Sequence, residues 1–323
     1  MSLTEAAIEV ENLVKIYHEK SSRAVRALDG LSFSVKRGEI FGLLGENGAG
    51  KTTLLRILTT LLRPTTGRAT LMGLDVEQSP YEVRKNICAV LQENAVEVYL
   101  SVEDNLKTYA RFHSIPARER GSRVGQAIEQ FGLQEHRKRK VIDLSGGLKR
   151  RVQVAKVFMV DKPVVFLDEA TTGMDPVNKR ATLDTIREQA RQGRTIVLTT
   201  HLLQEAEELC GRIAIIDRGS VLAVGDPGTI KSLGSSLVEI HVTYESLDEG
   251  ALANLSRLPL LKLDRRRLTL DLSVNGKQIS PFDVLQKLGQ LGPVLSFEVS
   301  SGSLEDAFIE LLAKSKARTE TGP

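Results

Sequence analysis

The stretch "GENGAGKTT" at residues 45–53 constrains the fold of this 323-residue chain more than any other segment. It fits the pattern G-x-x-x-x-G-K-[ST], directly after the apolar run "EIFGLLG" and directly before the helical run "TTLLRILTTLL". A glycine-rich turn between a strand and a helix points successive backbone N–H groups at phosphate oxygens, and the helix N-terminus adds its positive dipole end. We therefore predict a phosphate-binding loop made by Gly45, Glu46, Asn47, Gly48, Ala49, Gly50, Lys51, Thr52 and Thr53.

Short β-rich runs alternate with amphipathic helical stretches over the first two thirds of the chain. Strands are predicted over 8–17, 31–35 and 39–45, and again over 163–170 and 195–201. The last two are nearly continuous in apolar residues, as expected for strands covered on both faces of a parallel sheet. This alternation favours an α/β core with a mostly parallel sheet. Helical patterns dominate between about 93 and 160, which we interpret as a helical insert.

A second, smaller domain is predicted after a stretch rich in Gly, Ser and Pro at 223–236. The following patterns read strand, helix, strand, strand, helix, strand and a last helix, an order that matches a ferredoxin-like split βαβ unit. Ser246 and Ser303 are predicted helix N-caps, the latter with Asp306 at capping-box spacing. The predicted domains are therefore 1–233, with the helical insert inside it, and 234–323, a small α+β accessory domain.

Carboxylates and a histidine follow two of the predicted core strands. "VVFLDE" ends in Asp168 and Glu169, and "TIVLTTH" ends in His201. Beside a phosphate-binding loop, Lys51 would reach the β- and γ-phosphates of a nucleotide, while Thr52 and Asp168 would hold Mg²⁺. Glu169 would polarise the attacking water and His201 would contact the γ-phosphate. The alternative for the two carboxylates is an acidic pair that caps a helix, and the alternative for His201 is a structural role.

With these parts in order, the chain resembles the nucleotide-binding cassette of an ABC transporter over about residues 8 to 230. The resemblance rests on an ordered set of segments: "GENGAGKTT", Gln92 in "AVLQEN", "LSGG" at 144–147, "VVFLDE", Asp175 in "TTGMDP", and His201. It implies a P-loop NTPase fold with a mostly parallel core sheet, an antiparallel β subdomain and a helical subdomain at about 93–160.

The resemblance also implies an ATP-hydrolysing dimer. Two cassettes, either two copies of this chain or this chain and a similar one, would sandwich two ATP molecules, each between one phosphate-binding loop and the partner's signature segment, here Leu144, Ser145, Gly146 and Gly147. Gln92 would sense the γ-phosphate and Mg²⁺, and Asp175 would link the two sites across the dimer. Tyr17 matches the aromatic residue that stacks on adenine; its alternative is a surface aromatic at a strand end.

The chain departs from the usual family text in three places: Ala170 follows Glu169, Met174 precedes Asp175, and Leu148 follows the signature segment where glutamine is common. The charged groups remain, so we expect the chain to hydrolyse ATP without a better-equipped partner. Leu148 falls on one helical stripe with Val152, Ala155 and Met159, and we expect it to extend a buried helix face and only to tune turnover.

The C-terminal text, "SLEDAFIELL", and the "KRR" that follows Leu148 are similar to bacterial daunorubicin-resistance-type drug exporter ATPases. This similarity predicts the ATPase subunit of a multidrug-resistance exporter that works through a separate polytopic membrane subunit. The expected location is the cytoplasmic face of the bacterial membrane, since no secretory signal pattern and no run of about 18 apolar residues is present. Cys88 and Cys210 are the only cysteines and give no disulfide framework.

Two other classes of protein share parts of this pattern. Kinases and GTPases also use phosphate-binding loops, but they leave 145–147 and His201 unexplained. A soluble ABC-type ATPase acting on nucleic acid or ribosomes would draw on the basic runs at 136–140 and 264–267. We interpret both runs as solvated faces, because no aromatic residues interleave them and the net charge is only +3. No nucleic-acid partner is expected.

Overall fold

A computed structural model describes residues 6–19, 23–91, 96–234, 237–248, 255, 258–276, 278–301 and 303–320. The chain divides into two compact units, Met1–Asp226 and Pro227–Pro323. The boundary predicted at 233 falls inside a helix of the second unit, Pro227–Gly234.

The first unit contains a four-stranded antiparallel sheet. Its spatial order is β2-β1-β4-β5, with the strands Ala6–Tyr17 (β1), Val25–Lys36 (β2), Thr66–Leu71 (β4) and Leu74–Asp75 (β5). Buried and exposed positions alternate over parts of these strands, as in β2, because one face packs on the core and the other meets solvent. This is the antiparallel β subdomain that the family resemblance implied.

The second sheet of this unit is the central one. Its order is β10-β9-β3-β8-β7-β6, with Ile40–Leu44 (β3), Ile87–Val90 (β6), Val164–Asp168 (β7), Thr195–Thr200 (β8), Arg212–Asp217 (β9) and Ser220–Gly225 (β10). Every neighbouring pair is parallel except β9 and β10. All residues of β3, β7 and β8 are buried, which explains their continuous apolar text. The mostly parallel sheet is confirmed, whereas β6, β9 and β10 were not identified in the sequence.

Seven helices belong to the described part of this unit: Lys51–Leu58 (α1), Pro80–Lys85 (α2), Val102–Phe112 (α3), Ala117–Gln130 (α4), Gly146–Met159 (α5), Pro176–Arg191 (α6) and Leu203–Leu209 (α7). Helices α3, α4 and α5 form the predicted helical insert. One apolar core joins both sheets to α1, with Phe41 of β3 and Phe166 of β7 fully buried in it. Burial of this apolar surface is what holds the phosphate-binding loop between β3 and α1 in place.

The second unit has a four-stranded antiparallel sheet ordered β12-β13-β11-β14. Its elements are Pro227–Gly234 (α8), Leu237–Tyr244 (β11), Leu260–Arg266 (β12), Thr269–Asn275 (β13), Pro281–Leu288 (α9), Val294–Ser301 (β14) and Leu304–Glu320 (α10). Strand β13 lies antiparallel between β11 and β12, and β11 lies antiparallel between β13 and β14. This strand order is the one expected for the predicted ferredoxin-like topology.

Helix α10 begins with a reciprocal cap. The Ser303 hydroxyl accepts a hydrogen bond from the Asp306 N–H at 3.1 Å, and Asp306 Oδ2 accepts one from the Ser303 N–H at 2.9 Å. The capping box predicted there is confirmed. The first helix predicted in this domain, which Ser246 would cap, lies largely outside the described residues.

Among the residues that the structure describes, no helix has the length and apolar character that crossing a membrane requires.

Candidate functional site

The predicted phosphate-binding and acidic segments meet at one edge of the central sheet. Strands β3, β7 and β8 are parallel neighbours, with Leu44 opposite Thr200 and Asp168 opposite Thr199. Their carboxyl ends therefore lie side by side, at the edge where open α/β sheets bind ligands. The pocket at this edge has a volume of about 250 Å³ and is lined by Ala27, Asn47, Gly48, Gly50, Lys51, Thr52, Thr53, Asp168 and Glu169.

Two glycines of the loop are required by close backbone contacts. A Cβ on Gly45 would lie 2.3 Å from the carbonyl oxygen of Ile216 in β9. Gly50 has a φ of 107°, and a Cβ there would lie 2.6 Å from the carbonyl oxygen of Ala27 in β2. The loop is therefore wedged between the two sheets, which fixes the direction of its N–H groups.

Lys51 begins α1 and is only 7% exposed. Its Nζ donates hydrogen bonds to the carbonyl oxygens of Gly45 at 2.7 Å and Glu46 at 3.0 Å. Burial lowers the pKa of this ammonium group, while the charges of Glu169 and Asp168 act in the opposite direction. The loop thus holds a buried cation, which suits an anionic ligand, and two carboxylates lie near it.

Asp168 is 3% exposed at the end of β7. Its Oδ1 accepts a hydrogen bond from the Thr199 hydroxyl, and its Oδ2 lies 3.5 Å from the Thr52 hydroxyl. Oxygen donors of this kind are the ligands that Mg²⁺ prefers. The two residues predicted to hold Mg²⁺ are therefore adjacent, and their chemistry fits the ion.

Glu169 follows Asp168 with a φ of 51°, in the left-handed region that non-glycine residues seldom adopt. Such a conformation costs roughly 1–3 kcal/mol and persists only where the surroundings hold it. Its N–H lies 3.1 Å from the Thr199 carbonyl oxygen and 3.2 Å from the Thr199 hydroxyl. Its Oε1 lies 3.2 Å from Nδ1 of His201, so the two predicted catalytic side chains are in contact.

The signature segment leads into α5. Leu144 is buried, and the Ser145 hydroxyl caps the helix by accepting a hydrogen bond from the Leu148 N–H at 3.3 Å. A Cβ on Gly147 would lie 2.4 Å from the carbonyl oxygen of Gly173, whereas a Cβ on Gly146 would meet nothing within 4 Å. Gly147 is therefore required by packing within this chain, and Gly146 is left open on the surface.

Leu148 is half-buried on α5, which agrees with the expected extension of the buried face. On the same helix the polar residue Gln153 is only 3% exposed. The reason is that α5 is covered on most sides, and Gln153 is paired with Arg150 at 2.6 Å.

Tyr17, Asp175 and Gln92 complete the set of predicted site residues. Tyr17, at the end of β1, has its hydroxyl 3.4 Å from the Thr53 hydroxyl, at the phosphate-binding loop. Asp175 caps α6 by accepting a hydrogen bond from the Asn178 N–H at 3.1 Å, and the Asn178 bonds lower its pKa. Gln92 lies outside the described residues. The roles of all three stay predictions.

The sequence did not single out two groups that organise this site. Thr199 contacts both Asp168 and Glu169, as described above. Glu205 of α7 is buried and accepts hydrogen bonds from the hydroxyls of Thr171 at 2.6 Å and Thr200 at 3.1 Å, and it pairs with Lys179 Nζ at 2.6 Å. Thr199 and Thr200 could have been recognised in the sequence as hydroxyl residues at the end of an otherwise apolar strand. Nothing in the sequence marks Glu205 as a site residue, because it lies in a helix with several other acidic residues.

The basic run at 136–140 is largely engaged in contacts within the chain. Glu103 of α3 is 4% exposed and binds Lys107 at 2.7 Å, Arg137 at 2.9 Å and Lys138 at 2.7 Å. Arg139 donates to the Asp143 carbonyl oxygen at 2.9 Å. Arg137, Lys138 and Arg139 thus bind groups of this chain, whereas a nucleic-acid interface would use such charges to bind phosphates.

Together the fold and the site define an ATP-binding cassette of the P-loop NTPase class. Comparison with known proteins gives the same answer, since the family model described as "ABC transporter" matches residues 28–172.

Curated relatives match over most of the chain. A daunorubicin/doxorubicin resistance ATP-binding protein of Streptomyces peucetius is 35% identical over 94% of this chain and 92% of its own length. A Nod factor export ATP-binding protein of Paraburkholderia xenovorans is 36% identical over 74% of this chain and 77% of its own length. The chain belongs to the ABC transporter family, as an ABC-type ATPase subunit.

Among solved structures, the ATP-binding subunit of an ABC transporter superposes with a TM-score of 0.64 and is 27% identical. The match covers 70% of this chain and 92% of that one. The cassette fold expected from the sequence is therefore confirmed.

Proposed function

We propose that this chain is the Mg²⁺-dependent, ATP-hydrolysing subunit of a bacterial exporter that works with a separate polytopic membrane subunit. The observation that carries the proposal is the meeting of the Lys51 loop, Asp168, Glu169 and His201 at one sheet edge. The names of the relatives, drug resistance and Nod factor export, support the direction of transport.

The phosphate-binding loop binds the nucleotide. Lys51 Nζ donates hydrogen bonds to two carbonyl oxygens of the loop. When ATP binds, the lysine exchanges one of these hydrogen bonds for a bond to phosphate oxygens. Because the ammonium group is buried, its attraction for phosphate is screened less than it would be in water. Tyr17, at the end of β1 near Thr53, stacks on the adenine ring.

Thr52 and Asp168, with Gln92, hold Mg²⁺. The bound ion neutralises charge on the β- and γ-phosphates. The Thr199 hydroxyl keeps the Asp168 carboxylate oriented, and Glu169 accepts a proton from the attacking water. His201 contacts Glu169 and steadies its carboxylate, and the histidine would contact the γ-phosphate of bound ATP.

Two cassettes, two copies of this chain or this chain and a similar one, pair to complete two sites. Ser145 and the open backbone of Gly146 at the start of α5 face the ATP of the partner, where the helix N-terminus supplies positive charge. Asp175 links the two sites. The chain acts at the cytoplasmic face of the membrane through its membrane subunit.

The test is an efflux measurement. The chain is co-expressed in a drug-sensitive bacterium with each polytopic membrane protein found to be encoded near its gene. Retention of fluorescent doxorubicin is then compared with that of cells carrying the Lys51→Ala variant. Faster efflux by the wild-type pair, together with co-purification of the two proteins, supports the proposal. Absence of any membrane partner in the purified material, with ATPase activity retained, contradicts the exporter role and favours a soluble ATPase.

A further inference from the structure

Arg150 of α5 stands three residues after Gly147, yet it faces the nucleotide site of its own chain. Its Nε donates to the Glu169 carbonyl oxygen at 3.1 Å, and its Nη2 donates to the Asp168 carbonyl oxygen. Its Nη1 donates to the Leu91 carbonyl oxygen at 3.2 Å and to Gln153 Oε1 at 2.6 Å. One guanidinium group thus joins α5, the end of β7 and the residue that precedes Gln92.

Two of these carbonyls belong to Asp168, the last residue of β7, and to Glu169, which follows it. Glu169 has a left-handed φ of 51°, so this backbone does not hold its conformation by intrinsic preference. Thr199 fixes the Glu169 N–H. Arg150 fixes the carbonyl on either side of the Glu169 Cα, which leaves the peptide planes little freedom to rotate.

We infer that Arg150 is a positioning residue. It holds the backbone of Glu169 so that the carboxylate points into the nucleotide site, and it couples the direction of this carboxylate to the position of α5, the helix that begins at the signature segment. The inference rests on the proposed ATP-hydrolysing function. It concerns a residue outside the nucleotide-binding motifs and outside the pocket lining.

The geometry requires arginine rather than any cation. A guanidinium group presents donors in a rigid planar fork and can satisfy two successive carbonyls at once, whereas an ammonium group is a single point of charge. Burial lowers the pKa of Arg150, and the nearby Asp168 and Glu169 carboxylates counteract that shift. A lysine at this position would keep the positive charge but could not donate to both carbonyls with the fixed geometry of a guanidinium group.

The experiment measures steady-state ATP hydrolysis by the purified full chain and by Arg150→Lys and Arg150→Gln. Displacing a catalytic group by about an ångström can cost about 100-fold, so we expect kcat to fall by roughly 10- to 100-fold while KM for ATP changes by less than about threefold. A wild-type kcat in Arg150→Lys would overturn the inference, because it would show that charge alone suffices.

Arg151→Lys is the matched control. Arg151 is the next arginine on α5 and is 5% exposed, but its Nη1 donates at 3.3 Å to the carbonyls of Phe131 and Gly132, away from β7. We expect this variant to lower the melting temperature and to change kcat by less than about threefold. An equal loss of kcat in both lysine variants would mean that any lost arginine on α5 has this effect, and the inference would fail.

Hydrogen exchange gives a readout that does not depend on turnover. The Glu169 N–H should exchange faster in Arg150→Lys than in the wild type, while the amides of α1 keep their protection. Unchanged exchange at Glu169 would overturn the inference even if wild-type ATPase activity were absent, and that absence would by itself count only against the proposed function.

Discussion

Nδ1 of His201 lies 3.2 Å from Oε1 of Glu169, although the two residues are 32 positions apart in the chain. The contact exists because β7 and β8 are adjacent parallel strands, and each residue directly follows one of them. The Glu169 side chain is 21% exposed and that of His201 is 51% exposed, so water can reach both, and Glu169 lines the pocket. A carboxylate oriented in this way is ready to accept a proton from a water molecule beside the nucleotide.

Glu169→Gln should keep ATP binding and stop hydrolysis. The amide preserves the shape of the side chain but cannot accept the proton, and a positioned general base contributes about 10²–10⁴-fold. Calorimetric titration with ATP and a phosphate-release assay measure the two properties separately. Near-normal turnover in this variant would show that Glu169 is not the base.

Leu148→Gln should change the ATPase rate by about tenfold or less. Residue 148 supplies its N–H to the Ser145 hydroxyl, and its half-buried side chain does not line the pocket. One neutral hydrogen bond gained or lost is worth roughly 0.5–1.5 kcal/mol. The same assay on Ser145→Ala should show a far larger loss, and a change above about a hundredfold for Leu148→Gln would contradict the tuning role.

Gly146→Ala and Gly147→Ala should separate nucleotide contact from packing. A Cβ on Gly147 meets the Gly173 carbonyl oxygen at 2.4 Å, so we expect a loss of about 1–3 kcal/mol in the free energy of unfolding. Gly146 has open space, so its alanine variant should be as stable as the wild type, and any loss of ATPase activity in it reports on the dimer site. Thermal denaturation of both proteins is the measurement; equal melting temperatures would contradict the packing role.

Glu103→Gln should destabilise the helical insert in a pH-dependent way. Hydrogen bonds from Arg137, Lys107 and Lys138 hold the pKa of Glu103 well below its usual value of 4.5. A depressed carboxylate pKa contributes stability above the unfolded value, and this contribution is lost as the pH falls through the folded value. The wild type should therefore exceed Glu103→Gln by about 1–3 kcal/mol at pH 7, with the gap narrowing below pH 4.5. Urea unfolding at several pH values checks this, and a constant gap would refute it.

Neither cysteine should react with Ellman's reagent in the native protein at pH 8. Both thiols are buried, and burial raises the pKa of Cys88 to about 12 and raises that of Cys210 further above its usual value. Because only the thiolate attacks, both labels should appear after unfolding in guanidinium chloride. Rapid reaction of one thiol in the native protein would contradict its burial.

Much of the fold could be predicted because its signals are local. The buried strands β3, β7 and β8 are nearly continuous apolar runs in the sequence. The phosphate-binding loop at 45–53 is recognised from its glycines and from its place between a strand and a helix. The ferredoxin-like order of the second unit followed from period-two strand patterns and the capping box at Ser303. Strands β4, β5, β6, β9 and β10 were not predicted, because short runs without flanking motifs show no clear period.

The sequence by itself determined which chemical groups the site contains: a loop lysine, paired carboxylates at a strand end, and a histidine after the neighbouring strand. Each of these is a short motif whose function depends on local spacing. The tertiary structure decided how they are held. Thr199, Glu205 and Arg150 each act through a contact with a residue at least 18 positions away, to Asp168, Thr171 and Asp168 respectively, and no local pattern encodes such contacts. The left-handed backbone of Glu169 has the same origin, because packing and hydrogen bonds from two other segments stabilise a conformation that the residue alone would not adopt.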